Sequence, residues 1–297
     1  MVGYVVLIVS ALAGALFGQT YKRKSEYGLD TALVLAWFAV VSVVLLGTVV
    51  LALGFTQVKQ AALWMPFAHG VAMAIAMHSY YAVIGESRLG ISWTVIQLSV
   101  VIPFFVSVVV YQEPLGRWAV LGLVSVLLAI ILFGMGKERS SGAGNKKDAG
   151  SRRALLLLIS ASVFTGITSA LLRSFASYHP EPQAVPTFFL LVSATLLLIN
   201  VPICAYRSVR GGYSPWNRLT VVFSLYKSVT NMTAMGLLLV SVQLLPGFFV
   251  FPVRNTLNIL FVLGLSAVLH RERVTRLEAV GLLWGILGIA LLSYAMQ

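Results

Sequence analysis

An arginine stands in the middle of an apolar string, FFVFPVRNTLNILFVLG, where Arg254 is the eighth residue of a span predicted over 247–269. An ionisable group at that depth faces protein or water, because hydrocarbon penalises it heavily, so it marks a site by default. Asn255 follows it and Asn258 lies one turn on, and Phe251, Arg254 and Asn258 share one helical face. A guanidinium fork suits a carboxylate or a phosphate. Pro252 removes a backbone donor just before it, predicting a kinked or broken helix. An internal ion pair and a side chain snorkelling to the head groups are the other readings of Arg254.

Lys227 in FSLYKSVTNMTAMGLLL repeats the theme, with Asn231 one turn later and Thr230 and Thr233 nearby. Its alternative is an interfacial lysine whose stem lies along lipid while its ammonium reaches water. In the third span His69, Met73, Met77 and Tyr80 recur at near-helical spacing below Trp64, with His78 and Tyr81 pointing elsewhere. The fourth span puts Trp93 and Gln97 on one face and Pro103 farther along. Aromatic and Met side chains of this kind pave a cavity for a semi-apolar substrate or simply pack helices. For Gln97 and His69 the cavity reading is favoured, because polar groups in lipid seek partners.

The acidic residues sharpen the chemistry. Glu26, Asp30, Glu86, Glu113, Glu138, Asp148, Glu181, Glu272 and Glu278 all fall in loops or at span ends, whereas both mid-span charges are positive. A carrier of lipophilic cations needs a buried carboxylate; a cavity with Arg254, Lys227 and several amides fits an anionic or zwitterionic metabolite. Proton coupling needs a tunable group, for which His69, His78 and Glu86 are the candidates. The sequence has no phosphate-binding loop, metal-ligand cluster or triad, so no catalytic residue, metal or cofactor is expected.

These residues must be positioned by membrane-spanning helices. Of the 297 residues 59% are apolar and 10% charged, against about a quarter charged in a soluble domain. Apolar runs near the length of a bilayer crossing recur throughout, and none shows the short alternation of a β-barrel strand. Ten spans are predicted, at 2–21, 31–53, 61–84, 90–110, 115–136, 153–172, 184–205, 218–240, 247–269 and 275–296. The first basic residue, Lys22, follows the first run, so that run reads as a retained span rather than a secretory leader. Basic residues cluster at span ends, where anionic head groups lie, which argues against nucleic acid as the partner of the +12 charge. The lone Cys204 leaves the redox compartment open.

Two charged elbows divide this series symmetrically. YQEPLGRWAVLG at 111–122 and HRERVTRLEAVG at 270–281 align Glu113 with Glu272, Arg117 with Arg276 and Gly122 with Gly281, all at an offset of 159. The Gly-, Ser- and charge-rich stretch GKERSSGAGNKKDAGSRR, 136–153, reads as a flexible loop. The chain therefore divides into a first repeat at 1–136, a linker at 137–152 and a second repeat at 153–297. Five spans per half is odd, so the second half enters from the opposite side. The expected fold is an all-α polytopic membrane protein of ten transmembrane helices in two inverted five-helix repeats, an arrangement that opens one buried site alternately to each side.

Lys and Arg counts set the orientation. Loops after the odd-numbered spans carry sixteen, and those after the even-numbered spans carry Lys59, Arg117 and Arg173. The basic loops, including 137–152 and 207–218, are thus expected in the cytoplasm and both termini outside, in a plasma membrane. GxxxG pairs at Gly14/Gly18 and Gly281/Gly285 allow close helix approach, and with Trp284 the second pair offers a packing face or a homodimer contact.

The strings VVIPFFVSVVVYQEPLGRWAVLGLVSVLLAIILFG and LNILFVLGLSAVLHRERVTRLEAVGLLWGILGIALL resemble the EamA branch of the drug/metabolite transporter superfamily. The resemblance extends over nearly the whole chain in span count and halves. It implies an alternating-access carrier whose central cavity is lined largely by the third, fourth, eighth and ninth helices. It also implies a metabolite substrate such as an amino acid, sugar or nucleotide sugar, often moved outward, and a last helix in each half used for packing or dimerisation. Family habit places both termini in the cytoplasm, in conflict with the charge count. The expectation is a secondary transporter of a small anionic or zwitterionic metabolite, its substrate held by Arg254, Asn255, Asn258, Lys227, Asn231, His69, Trp93, Gln97 and Tyr80. A proton-coupled exporter of amphipathic or cationic drug-like compounds, dependent on Glu86, ranks next, then a membrane enzyme or a scaffold.

Overall fold

The computed structural model describes residues 2–84, 96–140, 150–211, 216–270 and 275–296, and among them helix is the only regular secondary structure. The long helices are α1 (Val2–Glu26), α2 (Thr31–Leu53), α3 (Trp64–Ile84), α4 (Leu98–Val110), α5 (Arg117–Ser140), α6 (Gly150–Tyr178), α7 (Ala184–Gly211), α8 (Arg218–Leu244), α9 (Gly247–His270) and α10 (Arg276–Tyr294). Trp93, Glu86 and Glu272 lie outside the described residues. Seven of these helices are long and apolar enough to cross a membrane, and α4 and α5 contribute shorter apolar stretches. The remaining one, α8, is diluted by Ser224, Lys227, Ser228, Thr230 and Asn231, which it buries against its neighbours. Its polarity is turned inward.

Two boundaries differ from the sequence reading. The stretch 136–153 was expected to be loop throughout, yet α5 runs to Ser140 and α6 starts at Gly150. Lys, Glu and Arg are good helix formers once nucleated by a packed helix, so the charged ends extend the spans; residues 141–149 lie outside the described residues. Nor is α9 broken at Pro252: it runs uninterrupted through the proline. The break in regularity falls in α4, which passes from a 3-10 turn at Leu98–Val100 through Val101–Phe105 to a π turn at Val106–Val110 around Pro103.

Lipid gives helices no hydrophobic reason to associate, so small residues and interhelical hydrogen bonds hold them. Ser10 donates to the Ala234 carbonyl at 2.7 Å, Ser228 to the Phe38 carbonyl at 3.1 Å and Ser224 to the Val34 carbonyl at 3.2 Å, tying α8 to α1 and α2. His78 meets Asn200 at 2.9 Å between α3 and α7. Between α5 and α10 the backbones touch: a Cβ on Gly288 would lie 3.1 Å from the Gly122 carbonyl oxygen and 3.1 Å from the Val126 nitrogen. Gly281 faces α5 in the same way and Gly285 faces Thr256 of α9, so the glycine face expected to offer a packing face or a homodimer contact packs within the chain. Large apolar residues such as Leu51, Leu198 and Leu283 face outward, as lipid requires.

The packing is regular in helix number. α1 packs on α8 as α6 does on α3; α2 on α8 as α7 does on α3; α1 on α9 as α6 does on α4. The remaining major pairs are α2 with α7 and α5 with α10. Advancing every number by five, cyclically, converts this set into itself.

One end of the bundle is stitched shut. The elbow after α4 turns at Gln112 (φ 49°), and Glu113 accepts from Arg173 at 2.6 Å and from the Gly247 and Phe248 amides at 3.0 and 2.9 Å. It thereby caps the N-terminus of α9, where a carboxylate is favoured, and fastens it to α6. Beside it Lys59 donates its amide to His179 at 3.0 Å and its ammonium to the Tyr178 carbonyl at 2.7 Å. Thr56 donates to the Gln183 carbonyl at 3.0 Å, and Gln243 to the His179 carbonyl at 2.7 Å.

Candidate functional site

Beneath that stitched end lies a cleft of about 110 Å³, open at its mouth, with walls from α1, α3, the two residues before α4, α6, α8 and α9. Its polar surface comes from His69, Gln97, Thr168, Asn231, Arg254 and Asn258. Tyr80 and Tyr21, with Met73, Met77 and Phe17, supply an apolar and aromatic wall. A concave apolar site with a few convergent polar groups is the usual form of a small-molecule pocket.

A set of side-chain amides is linked one turn from the arginine. Gln97 donates its amide to the Asn258 side-chain oxygen at 3.1 Å, Asn258 donates to the Ala11 carbonyl at 3.3 Å, and Asn255 donates to the Gln97 carbonyl at 3.3 Å. This chain of amides joins α1, α4 and α9 one turn from Arg254. Gly14 makes the junction possible: a Cβ there would lie 2.5 Å from the Asn258 amide nitrogen and 3.0 Å from an Arg254 guanidinium nitrogen.

Three polar atoms on this lining have no protein partner among the described residues: His69 Nδ1, Asn231 Oδ1 and Arg254 Nε. His69 is only 2% exposed and Asn231 6%, and buried polar atoms without partners are rare and costly. None of the described lining residues is Asp or Glu. The site thus offers a cationic fork, an amide oxygen and an imidazole nitrogen across an aromatic and thioether surface.

Of the residues expected from sequence, Arg254, Asn258, Asn231, His69, Gln97 and Tyr80 converge on this one cleft. Asn255 is placed behind it, as a brace for the Gln97 backbone. Lys227 is placed behind it too, 0% exposed. Its ammonium donates to the Tyr81 hydroxyl at 2.5 Å and lies 4.3 to 5.4 Å from the ring centroids of Tyr21, Tyr81, Phe17 and Phe38. It is neither snorkelling nor lining the cleft; Tyr21 and Phe17 stand between.

Sequence reasoning missed the contribution of α1 and α6. Gly14, Phe17 and Tyr21 follow helical spacing on one face of α1, and Thr165 and Thr168 do so on α6. The Gly14/Gly18 pair drew attention as a packing motif, and the aromatic pair beside it carried the missing signal. Met235 extends the Asn231 face by one turn.

Residues 152–294 match the model of the EamA-like transporter family. A solved crystal structure superposes on the chain with a TM-score of 0.69 at 16% identity, covering 98% of this chain and 99% of that one. That likeness concerns the fold. None of the curated proteins matches the chain.

Proposed function

We propose that this chain, an integral membrane transporter of the drug/metabolite type whose second half belongs to the EamA-like transporter family, carries a small anionic or zwitterionic metabolite by alternating access. The observation that carries the reading is Arg254: its guanidinium reaches the central cleft with no carboxylate among the described lining residues to neutralise it. A bidentate carboxylate or phosphate is the partner that fork is built for. Asn231 Oδ1, also without a partner among the described residues, suits an N–H donor on the same substrate, as an amino group next to an acid would supply. The Met and Tyr wall suits an apolar remainder.

The packing set that repeats when helix numbers advance by five, together with an odd number of spans per half, supports two inverted repeats at 1–136 and 153–297 around this cleft. The stitching at Glu113, Arg173, Lys59 and His179 closes one end, which fits a state open toward the other. That other end is the side of the odd-numbered loops, to which the sequence gives sixteen Lys and Arg, and it is assigned to the cytoplasm on the positive-inside rule, in a plasma membrane.

The test is flux into proteoliposomes for a panel of amino acids, organic acids and phosphorylated metabolites, with and without a pH gradient. Wild type is run beside Arg254→Ala and Arg254→Lys. An anionic or zwitterionic substrate should be carried by wild type and reduced by about tenfold or more in Arg254→Ala, with partial rescue by Lys. Anion flux that survives Arg254→Ala, or transport restricted to lipophilic cations, overturns the proposal.

A further inference from the structure

A second pair of cavities lies on the outside of the bundle and shares no lining residue with the central cleft. The first is a cup of about 410 Å³ at the basic end, between the α1–α2 turn and the facing ends of α7 and α8. Tyr27, Asp30, Arg207, Asn217 and Thr220 form its polar surface, with Trp216 at the side. The second is a groove of about 350 Å³ along α2 and α7, lined by Trp37, Val40, Val201 and Val209 and almost wholly apolar. The two join, because Leu33, Cys204 and Ser208 line both. Trp216 of the cup and Trp37 of the groove meet edge to face at 5.3 Å beside that junction.

A polar cup that opens into an apolar groove along membrane-facing helices has the form of a lipid. From Ser208 to Val201 the groove follows two turns of helix, about 10 Å, enough for the upper half of one acyl chain. The cup's charges say which head group. Arg207, 60% exposed on its side chain, faces Asp30 across 3.8 Å, too long for a tight ion pair, and Asp30 spends its other oxygen on the Leu33 amide at 3.0 Å. The Thr220 hydroxyl, in a residue 1% exposed, has no hydrogen-bond partner among the described residues although it lines the cup. Cation, anion and unspent hydroxyl side by side match a phosphate with a primary ammonium two carbons away.

We infer that the cup and groove between α2, α7 and α8 are a binding site for one glycerophospholipid with a primary-amine head group, its phosphate on Arg207, its ammonium on Asp30 and an acyl chain along Trp37 and Val201. The net charge of +12 draws anionic lipids to this end without selecting among them. The paired charges of the cup select a zwitterion.

Native mass spectrometry of the full chain, with phosphatidylethanolamine, phosphatidylglycerol and phosphatidylcholine at equal mole fraction, tests this. Wild type should retain phosphatidylethanolamine about tenfold over either competitor, the value of one charge-assisted contact. Asp30→Asn keeps the helix cap and should lose the preference over phosphatidylglycerol; Arg207→Ala should lose retention of all three. Maleimide labelling of Cys204, which lines both cavities, should be slower in phosphatidylethanolamine vesicles than in phosphatidylcholine. Equal retention of phosphatidylglycerol by wild type, or retention unchanged by both variants, overturns the assignment.

Discussion

Placing one methyl group on Gly14 tests how the arginine is held. The new Cβ would lie 2.5 Å from the Asn258 amide nitrogen and 3.0 Å from an Arg254 guanidinium nitrogen, where contact normally begins near 3.4 Å. Asn258 must give way by nearly an ångström, and its bonds to Ala11 at 3.3 Å and from Gln97 at 3.1 Å are both drawn on. Overpacking of this kind costs about 1–3 kcal/mol, and each strained buried bond adds about 1 kcal/mol. Gly14→Ala should therefore cost about 3–5 kcal/mol gross, or about 2–4 kcal/mol in the detergent-solubilised protein once about 1 kcal/mol is regained in helix propensity. Because the collision is mainly with one side chain, the effect should shrink in an Asn258→Ala background. A double-mutant cycle on unfolding free energies should give a coupling of about 1–3 kcal/mol, with anion flux lost in Gly14→Ala. Equal costs in both backgrounds would refute the close α1–α9 contact as the support of Arg254.

Three further outcomes follow from the rest of the bundle. Gly288→Val forces α5 and α10 apart where a Cβ already meets the Gly122 carbonyl at 3.1 Å, and should cost about 1–3 kcal/mol in unfolding free energy while leaving substrate selectivity in the flux assay unchanged. Glu113→Ala leaves the mostly buried Arg173 unpaired and strips two α9 amides of their acceptor; about 2–4 kcal/mol of stability should go, whereas Arg173→Met should cost less because the amides keep their carboxylate. His179, outside the spans, has its pKa lowered by burial and then by Lys59, with Glu181 opposing. The folded state therefore favours the neutral ring that accepts the Lys59 amide. That contribution is complete above the unfolded imidazole value of about 6.5 and is lost as pH falls through the lower folded value. Wild-type unfolding temperature should drop over that window relative to His179→Gln, and parallel profiles would count against it.

The central cleft was legible where polarity is improbable. Arg254, Asn258, Asn231, Gln97 and His69 stand out in apolar strings because lipid tolerates such groups only against protein or water, and all five reach one cavity. Asn255 carried the same signal but serves as a brace, since adjacent residues on a helix point about 100° apart and only one of Arg254 and Asn255 can face the cleft. The aromatic and threonine wall from α1 and α6 was silent, because Phe17, Tyr21 and Thr168 are ordinary residues for a span and only the packing of α1 on α8 and α9, and of α6 on α3 and α4, turns them inward. Helix ends were the other blind spot: charges mark where lipid stops, not where hydrogen bonding stops, so α5 and α6 outrun their apolar segments.

Lys227 shows what composition alone cannot decide. The sequence left it between a cavity cation and an interfacial lysine, each of which keeps the ammonium in contact with water. The fold does neither, surrounding it with four rings at 4.3 to 5.4 Å and one hydroxyl. All four rings lie within cation–π reach of the Lys227 nitrogen. The cage leaves Arg254 as the described cation with access to the cleft. An anion entering that cleft would meet Arg254 directly and feel Lys227 only through Tyr21. On the proposed reading, substrate contact belongs to Arg254, and Lys227 stays behind the aromatic wall.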